Sequence, residues 1–124
     1  MRLLLDTHVL LWWIDDDPRL SSDLAPLLRS EPDVFVSSAS IWEIAVKQAL
    51  GKLEAPEDLA ERALAAQFPV LDITDRHGIA AARLPLHHRD PFDRILVAQT
   101  ITEDLTLVTR DRQVQQYDLP ILRA

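Results

Sequence analysis

Short apolar runs alternate with amphipathic segments along the chain. Five runs predict strands, the last a short edge strand, at residues 2–5, 34–37, 70–73, 106–109 and 120–122. Helical spacing of apolar residues predicts helices between them, at 7–14, 21–29, 38–50, 56–67, 74–83 and 91–103, with a turn or short helix at 111–117. Such alternation favours a mostly parallel sheet that is covered on both faces. We therefore expect an α/β fold, a three-layer α/β/α sandwich with four to five strands.

Two of the helices have distinct apolar stripes. In the helix at 38–50, the side chains expected to face inward are Ile41, Trp42, Ala45, Val46 and Ala49. In the helix at 91–103, they are Ile95, Leu96, Ala98 and Ile101. Gly51 suits the end of the first of these helices, and Pro56 suits the start of the next one along the chain.

The composition is that of a soluble globular protein. The chain has 124 residues, of which 48% are hydrophobic, and no linker or repeat divides it, so residues 1–124 are expected to form a single domain. It has no cysteine, which excludes disulfides and thiolate chemistry and makes a reducing cytoplasm the simplest compartment. No segment is apolar enough to span a membrane.

The formal charge of −7 argues against broad, sequence-blind binding to phosphates. It does not exclude a nuclease whose metal ions supply the positive charge, and it suits a basic protein partner. Because the chain has only two glycines, a glycine-rich phosphate loop is excluded.

Four carboxylates occur where the chain changes from strand to helix: Asp6, Glu43, Asp93 and Asp111. The carboxyl ends of parallel strands line one crevice, so these acids are expected to converge there. At ~4 Å each pair would cost on the order of 4 kcal/mol at an effective dielectric near 20. A bound divalent cation would make this arrangement tolerable. Hard oxygen ligands favour Mg²⁺ or Mn²⁺ over zinc, and without metal the pKa values of the acids should be raised.

Two of the acids also have a purely local interpretation. Asp6 could simply cap the helix that begins at Thr7, although a capping carboxylate can also bind a cation. Glu43 could form a capping box with Ser40. If the helix begins nearer Ser38, however, Glu43 lies inside it and close to the apolar stripe, where a carboxylate requires a cation.

The remaining acids begin later helices. Asp90 is explained as an N-cap before Pro91, which leaves Asp93 as the stronger ligand candidate and Asp90 as its neighbour or support. Asp111 is an ordinary cap whose position after a buried strand makes it a candidate. Thr109 could bind a neighbouring carboxylate or a metal-bound water.

The basic and aromatic residues leave alternatives open. The arginines that flank the acids could rim the site and bind phosphates, or could pair with the acids: Arg89, Arg94, Arg110 and Arg112. His87 and His88 lack the ligand spacing of a zinc site and are explained as a polar loop, and His8 as local packing. The three tryptophans are expected in the core, although one could stack on a base or anchor a partner.

Four segments resemble the PIN-domain family, and within it the VapC-type toxins of bacterial toxin–antitoxin pairs. They are LLLDTHVLLW from Leu3, SASIWEI from Ser38, HRDPFDRILVAQ from His88 and LVTRD from Leu107. The resemblance implies a Mg²⁺- or Mn²⁺-dependent endoribonuclease with Asp6, Glu43, Asp93 and Asp111 as metal ligands. Asp90 matches an acid of the subgroup that carries this motif. The resemblance further implies a homodimer inhibited by a small cognate antitoxin.

Two other functions remain to be compared with this one. A phosphoacceptor receiver domain shares the length, the parallel sheet and an acidic Mg²⁺ site. It would also need an aspartate after the third strand and a lysine after the last, and the chain has lysines only at Lys47 and Lys52. A non-catalytic binding module with the same fold is the second alternative, against which the intact acids argue.

Overall fold

The computed structural model describes residues 1–53 and 57–124. The strands are β1 (Arg2–Leu5), β2 (Asp33–Ser37), β3 (Val70–Leu71), β4 (Thr106–Thr109) and β5 (Ile121–Arg123). The helices are α1 (Thr7–Ile14), α2 (Leu24–Ser30), α3 (Ser38–Ala49), α4 (Leu59–Ala65), α5 (Asp75–Arg83) and α6 (Pro91–Thr102), and a 3₁₀ turn covers Val114–Gln116. The predicted α/β sandwich is confirmed.

The strands form one sheet in the order β3-β2-β1-β4-β5, and every neighbouring pair is parallel. After β1 the chain adds β2 and β3 on one side of the sheet, and it then crosses to the other side of β1 to add β4 and β5. The crevice between β1 and β4 is therefore the switch point at which open α/β sheets bind ligands. A receiver-type domain has the order 2-1-3-4-5, so this alternative is wrong.

Both faces of the sheet are buried, as the apolar run of β1 requires. Alternate residues of a strand point to opposite faces. Leu3 and Leu5 pack with α1 and α2 on one face, whereas Leu4 packs with α6 on the other. A third cluster joins α1, α3 and α4 beside Val36. The packing on both faces holds the central strands in place and thereby fixes the positions of the residues that follow β1 and β4.

Two predicted segments differ in the structure. The third strand ends at Leu71 rather than at residue 73, because the N–H of Ile73 turns away to the side chain of Ser38 (3.1 Å). The predicted helix start at Pro56 lies outside the described residues, and α4 is described from Leu59. Gly51 has a φ of 68° after α3, the left-handed conformation that suits glycine at a helix end.

The predicted inward faces of two helices are partly wrong. In α3, Trp42 is 59% exposed and Ala45 and Ala49 are exposed, while the buried residues are Ala39, Ser40, Glu43 and Ile44. The inward face of α3 is half polar because it borders the site described below. In α6, Ile101 is 48% exposed. No described helix is both long enough and apolar enough to cross a membrane.

The burial of β1 predicts a strong asymmetry between two identical substitutions. Leu4→Ala, at a position with 0% exposure, should lower the free energy of unfolding by about 3 kcal/mol, because it removes packing on the face of the sheet that α6 covers. Leu86→Ala, at a position with 77% exposure, should change it by less than about 0.5 kcal/mol. Urea unfolding measures both values, and equal losses would contradict the assigned core.

Candidate active site

Asp6 links the ends of the two central strands. Its carboxylate caps α1 by accepting the N–H of Val9 (2.8 Å), and it also accepts the hydroxyl proton of Thr109 at the end of β4. The side chain is buried, and this burial, together with the charge of Asp111, raises the pKa of Asp6 against the opposing effect of the hydrogen bonds. The predicted role of Thr109 as a partner of a carboxylate is confirmed.

Asp111 is held by the same threonine. The hydroxyl oxygen of Thr109 accepts the N–H of Asp111 (3.0 Å), and Asp111 Oδ1 accepts the N–H of Gln113 (2.8 Å). One carboxylate oxygen of Asp111 is thus fixed by the backbone. The other, Oδ2, faces the neighbouring acidic groups across the crevice.

Glu43 lies inside α3 and is 3% exposed. Its Oε1 accepts the hydroxyl proton of Thr7 (2.7 Å), and its Oε2 binds the ammonium of Lys47, one turn further along the helix. This hydrogen bond raises the pKa of Lys47. Ser37 caps α3, so the capping box between Ser40 and Glu43 is wrong.

Asp93 follows the N-cap of α6 and has a perturbed pKa. Asp90 caps α6 by accepting the N–H groups of Phe92 (2.9 Å) and Asp93 (3.3 Å), as predicted. Burial, followed by the charges of Asp90 and Glu43, raises the pKa of Asp93 to about 6. The charge of Asp111 contributes in the same direction. For Asp6 and Asp93, the expected rise in pKa is therefore present.

Electrostatic coupling joins the four predicted acids into one cluster. Asp111 acts on both Asp6 and Asp93, and Glu43 acts on Asp93. The residues come from four separate segments: the ends of β1 and β4 and the first halves of α3 and α6. The structure therefore brings together the acids that the sequence singled out, while their role as metal ligands stays a prediction.

His88 is the site residue that the sequence analysis missed. Its Nε2 lies 2.7 Å from Asp93 Oδ2 and 3.8 Å from Asp111 Oδ2. The polar-loop interpretation therefore fails for His88, although it describes the exposed His87. Its position two residues before the Asp90 cap was the available signal, because the loop that begins α6 must pass the crevice. Because His87 and His88 lack the regular spacing of a zinc site, His88 was not selected as a ligand.

The arginine expectations are corrected in part. Arg94 neither rims the site nor pairs with its acids, because its guanidinium binds the Tyr117 hydroxyl and a set of backbone carbonyl oxygens, those of Ala81, Leu84, Pro85 and His88. Arg110 donates to the carbonyl oxygens of Arg19 and Ala124, yet it lines a cleft beside Asp6 and Asp111. Arg89 and Arg112 are exposed.

The tryptophans differ in their environments. Trp42 is largely exposed and meets the edge of Phe92 with ring centroids 5.1 Å apart, so its predicted place in the core is wrong. Trp12 is half-buried beneath the guanidinium of Arg110, 4.6 Å from its ring centroid. Trp13, also half-buried, packs on Phe68. Trp42 immediately precedes Glu43, and Trp12 lines the cleft beside Asp6 and Asp111.

The donor set fits a divalent cation. Ligand atoms of His88, Asp93 and Asp111 all lie within 4.8 Å of one another. Carboxylate oxygens suit Mg²⁺ and Mn²⁺, and a bound cation would favour the ionised form that burial and the neighbouring acids disfavour in Asp6 and Asp93. Among the described residues, Lys47 is the one lysine or arginine that forms a salt bridge with any of the four acids, and its partner is Glu43.

Comparison with known proteins identifies the family. The family pattern described as PIN domain matches residues 3–119. Ribonuclease VapC22 of Mycobacterium tuberculosis is 30% identical over 121 residues, which cover 95% of this chain and 93% of the relative.

Solved structures share the fold. VapBC2 from Rickettsia felis, bound to a promoter DNA fragment, superposes with a TM-score of 0.74 at 16% identity and covers 99% of this chain and 98% of that chain. DNA-bound VapBC from Salmonella typhimurium gives 0.73 at 18% identity with the same coverage. Since the family pattern spans nearly the whole chain and a ribonuclease relative reaches 30% identity over it, this protein belongs to the PIN domain family and, within it, to the VapC branch.

Proposed function

We propose that this protein is a Mg²⁺- or Mn²⁺-dependent endoribonuclease that acts as the toxin of a toxin–antitoxin pair. The observation that carries the proposal is the convergence of Asp6, Glu43, Asp93 and Asp111 at the switch point of the sheet, with the pKa values of Asp6 and Asp93 raised. The ribonuclease relative supports RNA as the substrate. An RNA substrate and a chain without cysteine also suit the cytoplasm.

The acids would hold the cation and orient the reacting groups. Bound Mg²⁺ or Mn²⁺ supplies positive charge for the scissile phosphate and lowers the pKa of water to generate a nucleophile at neutral pH. The carboxylates of Asp6 and Asp111 each accept a backbone N–H, and that of Asp93 lies against the His88 ring, so each has a defined orientation. Glu43 is oriented by Thr7 as a ligand or water-positioning base. In-line hydrolysis would leave a 5′-phosphate and a 3′-hydroxyl.

A basic antitoxin suits the surface beside the acids. A groove is lined by Thr7 and Glu43, by apolar side chains of α1 and α3, and by Asp15 and Asp17. Lys47 and Arg19 also line it, paired with Glu43 and Asp17, which leaves Asp15, among the described residues of the groove, as an acid without a salt bridge for a basic partner. We propose that an antitoxin segment lies in this groove and places an Arg or Lys among the carboxylates. The VapBC proteins among the structural relatives support such a partner. The proposed homodimer would bury exposed apolar surface such as Trp42 on α3.

Charge removal at Asp6 should abolish cleavage without unfolding the protein. Asparagine caps helices as well as aspartate does, so Asp6→Asn retains the hydrogen bond from the N–H of Val9 while it removes the charge. We expect a loss of at least about 100-fold in Mn²⁺-dependent cleavage of total RNA, because even indirect metal-site partners contribute 10- to 100-fold. Asp93→Asn should behave similarly.

The matched control for this experiment is Asp33→Asn. Asp33 is exposed at the amino end of β2, at the opposite edge of the sheet from the acids. Full activity is expected for this variant, and a chelator should inactivate it as it does the parent protein. An Asp6→Asn protein that still cleaves RNA in a metal-dependent manner would remove Asp6 from the mechanism. A parent protein inactive with every divalent cation would favour the binding module.

The raised pKa of Asp93 predicts a pH-dependent stability in the absence of metal. The fold favours the protonated form, so the stability from this group is present below the ordinary pKa of 3.8 and is lost as the pH rises through about 6. The free energy of unfolding of Asp93→Asn should therefore exceed that of the parent by up to about 3 kcal/mol at pH 7 and by little at pH 4. Mn²⁺ should stabilise the parent and reduce the difference. Thermal unfolding in the presence of a chelator measures the difference between the two proteins, and a difference that is the same at pH 4 and pH 7 would contradict the prediction.

The partner proposal predicts a salt-sensitive complex. The small protein encoded beside this chain should bind it and suppress cleavage. Asp15→Arg places a positive charge in the groove and should weaken that binding by roughly 3- to 10-fold, with a smaller effect at high salt. Asp23→Arg, at an exposed position directly before α2, serves as the control. A protein that remains alone in size-exclusion chromatography and stays active beside the neighbouring gene product would refute the pairing.

A further inference from the structure

We propose that the imidazole of His88 is a nitrogen ligand of the divalent cation, beside Asp93 and Asp111. The inference rests on the proposed function, because it concerns the same cation. It goes beyond the carboxylates that the family resemblance implies. It also changes the donor set from oxygen alone to a mixture of oxygen and nitrogen.

The first argument is position. His88 Nε2 lies 2.7 Å from Asp93 Oδ2 and 3.8 Å from Asp111 Oδ2, and ligand atoms from the three groups fall within 4.8 Å of one another. The His88 side chain is 15% exposed, so its ring is inside the crevice rather than in bulk solvent. An imidazole nitrogen this close to a carboxylate oxygen is placed so that both atoms can bind one cation.

The second argument is rigidity. The N–H of His88 donates to the Tyr117 hydroxyl (3.1 Å), and its carbonyl oxygen accepts from Arg94 (3.2 Å). The loop before α6 is therefore held on both sides of the imidazole. His88 Nδ1 lies 3.5 Å from the N–H of Asp90, at the outer limit of a hydrogen bond, so this contact fixes neither tautomer strongly. Ligation through Nε2 requires the neutral tautomer with its proton on Nδ1, and this tautomer gives up only the weak contact with the N–H of Asp90.

The third argument is the contrast with its neighbour. His87 is exposed, and its ring packs against the edge of Tyr117 with centroids 4.9 Å apart. The two histidines thus share a loop but differ in environment. Only His88 faces the acids. This pair supplies a matched comparison within two adjacent residues.

An imidazole ligand has a consequence for metal selectivity. Mg²⁺ prefers oxygen ligands, whereas Mn²⁺ and later first-row cations accept imidazole readily. His88→Gln should therefore raise the Kd for Mn²⁺ by about 10-fold or more and the Kd for Mg²⁺ by less. Affinity alone cannot separate direct binding from support of Asp93, because loss of an indirect partner also weakens binding by 10- to 100-fold. A spectroscopic measurement makes the distinction.

The decisive experiment is pulsed electron paramagnetic resonance of the full chain loaded with substoichiometric Mn²⁺. The parent protein should show ¹⁴N modulation from a coordinated imidazole. The modulation should disappear in His88→Gln and persist in His87→Gln. Labelling the parent with ¹⁵N-histidine should replace the ¹⁴N pattern by that of ¹⁵N, and this arm needs no substitution and hence no assumption about folding.

The outcomes separate this inference from the proposed function. Mn²⁺ that binds without nitrogen modulation would overturn ligation by His88 and leave the metal-dependent nuclease standing. Modulation that survives in His88→Gln would also overturn it and would point to His8, which lines the cleft beside Asp6. A parent protein that binds no Mn²⁺ in calorimetry would overturn both proposals.

Discussion

Repulsion among carboxylates at the carboxyl edge of the sheet is the constraint on which the site depends. Asp6 and Asp111 follow adjacent strands, so the strand order alone places them together. Glu43 and Asp93 enter the same crevice from α3 and α6. Pairs of such charges at ~4 Å cost on the order of 4 kcal/mol at an effective dielectric near 20, and the fold offsets only part of this. Burial, and to a smaller extent this repulsion, leaves the pKa values of Asp6 and Asp93 raised.

Backbone capping makes this arrangement foldable. Asp6 and Asp90 each accept backbone N–H groups at a helix start, and Asp111 does so at a turn. Each cap contributes about 1 kcal/mol and fixes one carboxylate oxygen. The local and functional interpretations of these acids are therefore compatible. A capped carboxylate retains a second oxygen, and in Asp111 this second oxygen faces the crevice.

The sequence predicted the parts of the structure that depend on local rules. The apolar run of β1 ends at Asp6, and Asp90 with Pro91 begins α6, so both boundaries were found. The inward face of α3 was misassigned, because Ser40 and Glu43 are buried by the hydrogen bonds of Thr7, a residue 33 to 36 positions away in the chain. No periodicity in the helix itself encodes such a long-range contact.

The same limit explains why His88 was missed and why Arg94 was misjudged. The position of a loop is set by what it binds, and here the loop before α6 is bound by Arg94. Seen in sequence, Arg94 is a positive charge beside Asp93. In the fold it faces the opposite direction, toward carbonyl oxygens at the end of α5.

Arg94 therefore contributes geometry rather than charge to the site. Its planar guanidinium has five N–H groups in a fixed fork, which can serve several carbonyl oxygens at once, whereas a lysine ammonium has three donors on a flexible stem. Asp93 and Arg94 are adjacent on α6, so the residue that holds the loop and the acid that meets His88 belong to one rigid element. Because this arginine is turned away from the acids, their negative charge stays available to a cation, and the distance between Asp93 and His88 is fixed by the same helix.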